Sequence, residues 1–179
     1  MRIRLFHIPL LVILLIVVSS CDNHVPNKQT TLTNVDSVFS VAALQYHGQF
    51  YPGVDGHVLS LDLYSDGLYI DSLGRMQGSG TNIYFSDIFI SKEDTCLVQG
   101  LYRIDSTALP MTILSGQTIE GSITGSYLLL VQEGQVKRIE LFESGSVDVI
   151  QDTDSCWITM QMVTSNNKTY NATYIGLVP

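Results

Sequence analysis

The run Cys156-Trp157-Ile158-Thr159-Met160-Gln161-Met162-Val163 puts Cys156, Ile158, Met160 and Met162 on one side of an extended chain and Trp157, Thr159, Gln161 and Val163 on the other. Period two is the geometry of a strand, whose successive side chains point to opposite faces of a sheet. The pattern recurs on both sides of this run. Tyr170, Ala172 and Tyr174 alternate with Asn171, Thr173 and Ile175, and Leu59, Leu61 and Leu63 alternate with Ser60, Asp62 and Tyr64. No stripe of helical period extends beyond two turns.

From these segments the strand pattern extends over 38–47, 57–65, 67–71, 79–90, 95–104, 126–132, 135–143, 146–151, 155–164 and 168–176. Turn chemistry separates them: Pro52-Gly53, Asp55-Gly56, Asp66-Gly67, Glu133-Gly134, Ser144-Gly145 and Ser165-Asn166-Asn167. Short glycine-containing connections between apolar runs are hairpin signals, so 126–176 reads as a five-strand antiparallel meander. The stretch 105–125, interrupted by Pro110, reads as an irregular crossing between sheets. From residue 21 onward Val, Ile, Thr, Tyr, Phe and Trp total 54, whereas Ala, Glu and Lys total 13. That composition fits pleated surfaces rather than helices. The expected fold is all-β, an antiparallel β-sandwich of about 8–10 strands. A small up-and-down β-barrel, lipocalin- or streptavidin-like, is the alternative.

The chain has 179 residues, a formal charge of −8 and a mean hydropathy of +0.22. The apolarity is concentrated at the start. Arg2 and Arg4 precede an apolar run from Leu5 to Val18, and 14 of the first 20 residues are hydrophobic. A basic opening, a short apolar stretch and small residues before a cut make a secretory signal peptide. The run is shorter than the roughly 20 residues that span a bilayer. Val18-Ser19-Ser20-Cys21 resembles the bacterial lipobox, in which the cysteine is acylated and becomes the new N-terminus. The expected organisation is a signal peptide over 1–20, a lipidated polar tether over 21–37 and one β-rich domain over 38–179. From Cys21 onward 7 Lys and Arg face 17 Asp and Glu, a formal charge of −10. Such a chain lacks the clustered cations that nucleic acid requires.

Several short motifs together resemble a recurrent domain of small envelope lipoproteins from gut Bacteroidetes. They are Tyr46-His47-Gly48 with Tyr51, Gly78-Ser79-Gly80, Val98-Gln99-Gly100-Leu101-Tyr102, Gly125-Ser126-Tyr127, Gly145-Ser146-Val147 and the closing Thr173-Tyr174-Ile175-Gly176. The resemblance implies a β-rich lipoprotein of the cell envelope and carries no activity with it. The expected location is the outer membrane, on either its periplasmic or its surface face. Only Asp22 is acidic just after Cys21, a departure from the acidic export signal of many surface lipoproteins.

Few residues suggest chemistry. Cys96 and Cys156 are either a disulfide, which an oxidising compartment permits, or two small buried hydrophobes. His47 and His57 lie near Asp55 and Asp62, but the spacing matches no established metal pattern, so no metal is expected. The glutamates, Glu140 among them, read as solvated positions. No catalytic motif occurs, no catalytic residue is assigned, and an enzyme is not expected. No cofactor is expected beyond covalent lipid on Cys21. The aromatics Tyr64, Tyr84 and Trp157 fall opposite the aliphatic face and are candidate binding residues, with core packing as the simpler account. Ser37, Ser72 and Ser106 stand in Asp-Ser contexts that resemble O-glycosylation acceptors of Bacteroidetes envelope proteins. The expected function is a monomeric, membrane-anchored, non-catalytic binding module for a glycan or a protein partner. A fimbrilin-like structural or assembly component is the alternative.

Overall fold

The computed structural model describes residues 37–177. Residues 1–36, which hold Cys21, the expected signal peptide and all but the last residue of the expected tether, lie outside the described residues. Within them the chain forms thirteen strands and no α-helix. In order these are β1 (Ser37–Gly48), β2 (His57–Ser65), β3 (Leu68–Ile70), β4 (Met76–Gly78), β5 (Gly80–Ile90), β6 (Gly100–Asp105), β7 (Thr112–Leu114), β8 (Gln117–Ile119), β9 (Ser122–Thr124), β10 (Ser126–Gln132), β11 (Gln135–Gln151), β12 (Cys156–Thr164) and β13 (Thr169–Gly176).

The all-β expectation holds. Nine strands form one sheet in the order β10-β11-β12-β13-β1-β2-β5-β7-β6, and further pairings of β10 with β5 and of β11 with β6 return the ladder to its start. The sheet therefore closes on itself, joining what a sandwich would leave as two layers. Two long strands make the closure. β5 offers Gly80–Phe85 to β10, then Ile88 and Phe89 to β7 on the same side. β11 offers Gln135–Leu141 to β10, then Gly145–Val149 to β6. Most pairings are antiparallel. β1–β13 and β6–β7 are parallel. The β3–β4 and β8–β9 hairpins stand off this sheet as separate two-stranded ribbons.

Residues 126–176 form four strands rather than five. Ser144-Gly145, which reads as a turn, lies inside β11, where the register with β12 shifts between Phe142 and Ser144. The extra residue is a β-bulge, which bends a strand and raises its twist. Gly145 sits at φ +145°, and a Cβ there would lie 2.4 Å from the Gln161 carbonyl oxygen. The expected strand 95–104 begins only at Gly100, and the crossing 105–125 contains β7, β8 and β9, each three residues long.

The inside of the closed sheet is filled. Phe39, Phe85, Phe142, Ile158, Met162 and Tyr102 are all fully buried there. The Tyr102 hydroxyl is satisfied in both roles, donating to the Val98 carbonyl and accepting from the Val98 amide. Burial at about 1.5–3 kcal/mol per large apolar side chain holds the closure. These side chains occupy the interior, and a cleft opens on the outer wall.

Glu140 departs from the solvated reading. It pairs in register with Leu128, a core residue, and so points inward near one mouth of the barrel. Its carboxylate is almost wholly buried, with Oε1 held by Arg138 Nε at 2.9 Å and Lys168 Nζ at 3.6 Å. Two cations at the mouth make burial of the charge tolerable.

Gly145→Ala is expected to cost about 2 kcal/mol or more of unfolding free energy in urea titration, because it adds both a clash and an unfavourable φ.

Candidate ligand-binding cleft on the outer wall

The core positions of β5 read Ile83, Phe85, Ile88 and Ile90, spaced two, three and two. The step of three marks a second bulge, where the β2 register shifts between Leu59↔Ile88 and Leu61↔Phe85. Strict alternation would turn Asp87 into the core. The extra residue instead leaves both Ser86 and Asp87 on the outer face, and bulges commonly re-aim a side chain in this way.

There Asp87 becomes the polar centre of a cleft of about 770 Å³. Its floor is Val58, Tyr84, Ser86, Asp87 and Phe89, from the outer faces of β2 and β5. One wall is the β1–β2 connection, carrying Phe50, Tyr51, Pro52 and Val54; the other is the β8–β9 hairpin, carrying Gln117, Ile119, Ile123 and Thr124. Asp87 is buried. Tyr51 donates its hydroxyl to Asp87 Oδ1 at 2.8 Å, and Ser86 Oγ donates to Oδ2 while accepting the Gly125 amide. Burial, together with the neighbouring Asp87 carboxylate, pushes the Tyr51 phenol up to about 12.

An aromatic chain lines the upper wall. Phe50 meets His47 and Tyr51 edge-on, at ring-centre distances of 6.1 and 5.0 Å, and Tyr51 meets Phe89 at 6.0 Å. His47 Nε2 lies 2.9 Å from Ser60 Oγ, which is beside the Tyr84 phenol. Tyr84 packs in turn against Tyr127 at 5.3 Å. On the hairpin wall, Thr124 Oγ1 is buried and has no hydrogen-bond partner among the described residues. The arrangement offers apolar and aromatic surface with one oriented carboxylate, a combination that suits a ligand with both apolar faces and hydroxyl groups.

The sequence candidates separate in space. Tyr84 lines the cleft. Tyr64 also points outward, but it is buried beneath Leu68 and Val131 in a small satellite core, beside the Asp62 carboxylate. It offers no face to a ligand. Trp157 is half-buried on β12, in register between Ile150 and Ile175, away from the cleft strands. Cys96 is exposed, Cys156 is buried, and both are free thiols, so the candidate disulfide is not formed in this structure. The segments that carry them are joined by a hydrogen bond. Gln151, paired with Cys156, donates to the carbonyl of Leu97, the residue after Cys96. Ser72 and Ser106 are exposed in turns, and Ser37 opens β1. His57 Nδ1 is engaged by the Tyr46 hydroxyl and lies 3.0 Å from the Asp94 carbonyl oxygen. Among the described residues no cluster of three His, Cys, Asp or Glu side chains is positioned to hold a metal ion.

Tyr51, Asp87, His47 and Phe50 were not among the sequence candidates for binding. The one available signal was the irregular spacing of Ile83, Phe85, Ile88 and Ile90.

Two measurements follow from this chemistry. Tyr51, Tyr102, Tyr127 and Tyr174 are each raised from 10.0 to about 12. Below pH 10 they are neutral in both folded and unfolded chains. Between pH 10 and 12 only the unfolded chain ionises freely, so stability is expected to fall across that window, as read by ultraviolet phenolate titration alongside circular dichroism. Burial also raises the Cys156 thiol, and the thiolate is the reactive form. A maleimide is therefore expected to label Cys96 in the folded protein and Cys156 only after unfolding. A chain in which neither labels after unfolding would carry the disulfide instead. No protein-family model, curated protein or solved structure matches the chain.

Proposed function

We propose that the protein is a lipid-anchored, non-catalytic binding module of the bacterial cell envelope, and that its outer-wall cleft takes a glycan. The observation that carries this reading is the Asp87 carboxylate, oriented by Tyr51 and Ser86 on a cleft floor whose other residues, Val58, Tyr84 and Phe89, are aromatic or aliphatic. A sugar ring has an apolar face of C–H groups and a rim of hydroxyls. Aromatic side chains such as Tyr84 suit the face, and a carboxylate fixed by two hydroxyl donors suits the rim. The lipobox-like sequence at Cys21 supports the anchor, and the resemblance to Bacteroidetes lipoproteins supports the envelope.

A specific feature favours a second reading, an assembly component. β1 pairs with β13 only through Ser37, Val38 and Phe39. Among the described residues, the edge of β1 from Val41 to Gly48 that faces away from β2 pairs with no strand. Unpaired edges template strand addition.

Glycan-array screening of the chain from residue 21 with Cys21→Ser tests the first reading. In the expected outcome, Tyr84→Ala and Asp87→Asn each weaken binding of a retained glycan about tenfold or more, the weight of a charged hydrogen bond or an aromatic stack. Their melting temperatures should identify any loss that is only unfolding. Absence of glycan retention together with concentration-dependent polymers in sedimentation would favour assembly.

A further inference from the structure

The β3–β4 hairpin packs on the barrel through Leu68 and Met76, and its tip is tightly ordered. Asp71 accepts the amides of Leu73 and Arg75, each at 2.9 Å, the Arg75 Nε at 3.0 Å and the Gln77 Nε2 at 3.2 Å. An ordered turn facing water is normally polar. This one holds Leu73 at 73%, Tyr69 at 61% and Ile70 at 39% exposure. A rigid apex that displays apolar side chains marks a surface for an apolar partner.

Charge separates this end from the rest of the molecule. Of the six Lys and Arg among the described residues, Arg75, Lys137, Arg138 and Lys168 lie here. The β10–β11 turn is bonded to the hairpin base, Gly134 N to Gly78 O and Glu133 N to Ser79 Oγ. Arg138 and Lys168 converge on Glu140. The four cations share this end with Asp66, Asp71, Glu133, Glu140 and Glu143, a local charge near zero, whereas Lys92 and Arg103 elsewhere are outnumbered by ten Asp and Glu. An anionic surface repels most of this protein and does not repel this end. Ser37 pairs with Ala172 in parallel register with β13, so β1 runs away from the Lys168 end.

We propose that the β3–β4 end of the barrel rests on a phospholipid bilayer, with Leu73, Tyr69 and Ile70 entering the headgroup layer and Arg75 and Lys137 meeting lipid phosphates. The proposal takes its bilayer from the lipid-anchor reading and its contact chemistry from the hairpin. A tether of 16 residues from Cys21 to Asp36 spans at most about 55 Å. Such tethering makes the local concentration high enough for a weak apolar contact to be populated. Val58 and Phe89 of the cleft lie toward the ends of β2 and β5 remote from Ser65 and Gly80, so this footing leaves the cleft directed away from the lipid.

The test uses the chain from residue 21 with Cys21→Ser, sedimented with vesicles of phosphatidylethanolamine and phosphatidylglycerol. The protein is expected to partition onto them. Leu73→Asp should reduce partitioning about tenfold or more, and Ile119→Asp at the cleft should leave it unchanged. In the lipidated protein with Trp157→Phe, brominated acyl chains should quench Leu73→Trp and spare Ile119→Trp. Equal partitioning of wild type and Leu73→Asp, or equal quenching at the two positions, overturns the proposal. So does a native protein glycosylated at Ser72, which would fill the same apex. The mass of the native N-terminal peptide reads acylation separately. An unacylated Cys21 with Leu73-dependent partitioning would sink the anchor and leave the bilayer contact standing.

Discussion

The barrel depends on two strands that each divide one side between two partners. β5 and β11 outrun any single neighbour, so β10 fills the space between them at one end and the β6–β7 pair fills it at the other. A straight strand cannot follow both partners, and each long strand yields at a bulge. Gly145 is the cost in β11, where no side chain fits against the Gln161 carbonyl. The Ser86-Asp87 step is the cost in β5. Burial of the aromatic interior stabilises a closure that these irregularities make geometrically possible.

The same distortion places the chemistry. Because the β5 bulge adds a residue without changing which side faces the core, a carboxylate arrives on an outer wall otherwise made of Val58, Tyr84 and Phe89. Tyr51 and Ser86 then fix its orientation, leaving little reorganisation for an incoming hydroxyl group. The two walls come from the β1–β2 connection and the β8–β9 hairpin, neither of which belongs to the closed ladder. The walls are thus distinct in origin from the scaffold that supplies the floor, and they can vary without disturbing the core.

Much of the scaffold was legible because alternation reports burial directly. β2, β5, β10, β12 and β13 match their expected spans to within a residue or two at each end. Three-residue strands such as β4, β7, β8 and β9 are too short to display a period, and they form through partners distant in sequence. Ser144-Gly145 carries the composition of a turn because a turn and a bulge both need a backbone that glycine permits. Glu140 was misread because an isolated carboxylate in a strand looks solvated until Arg138 and Lys168 arrive from separate positions. Tyr64 was correctly turned away from the aliphatic face, but the hairpin that buries it was invisible. The cleft was the least legible feature, since His47, Tyr51 and Asp87 become neighbours only through the fold.

The three-position seam between β1 and β13 acquires a different meaning when the chain is loaded by a pull at Ser37. Such a force acts along β1. The seam offers little resistance, so the load passes to the long antiparallel β1–β2 ladder, which runs from Phe39–Ser65 to Gly48–Val58. Hydrogen bonds between antiparallel strands lie across the strand direction, and a pull along the strand strains them together instead of peeling them singly. The domain therefore meets a pull at Ser37 in shear and not by peeling.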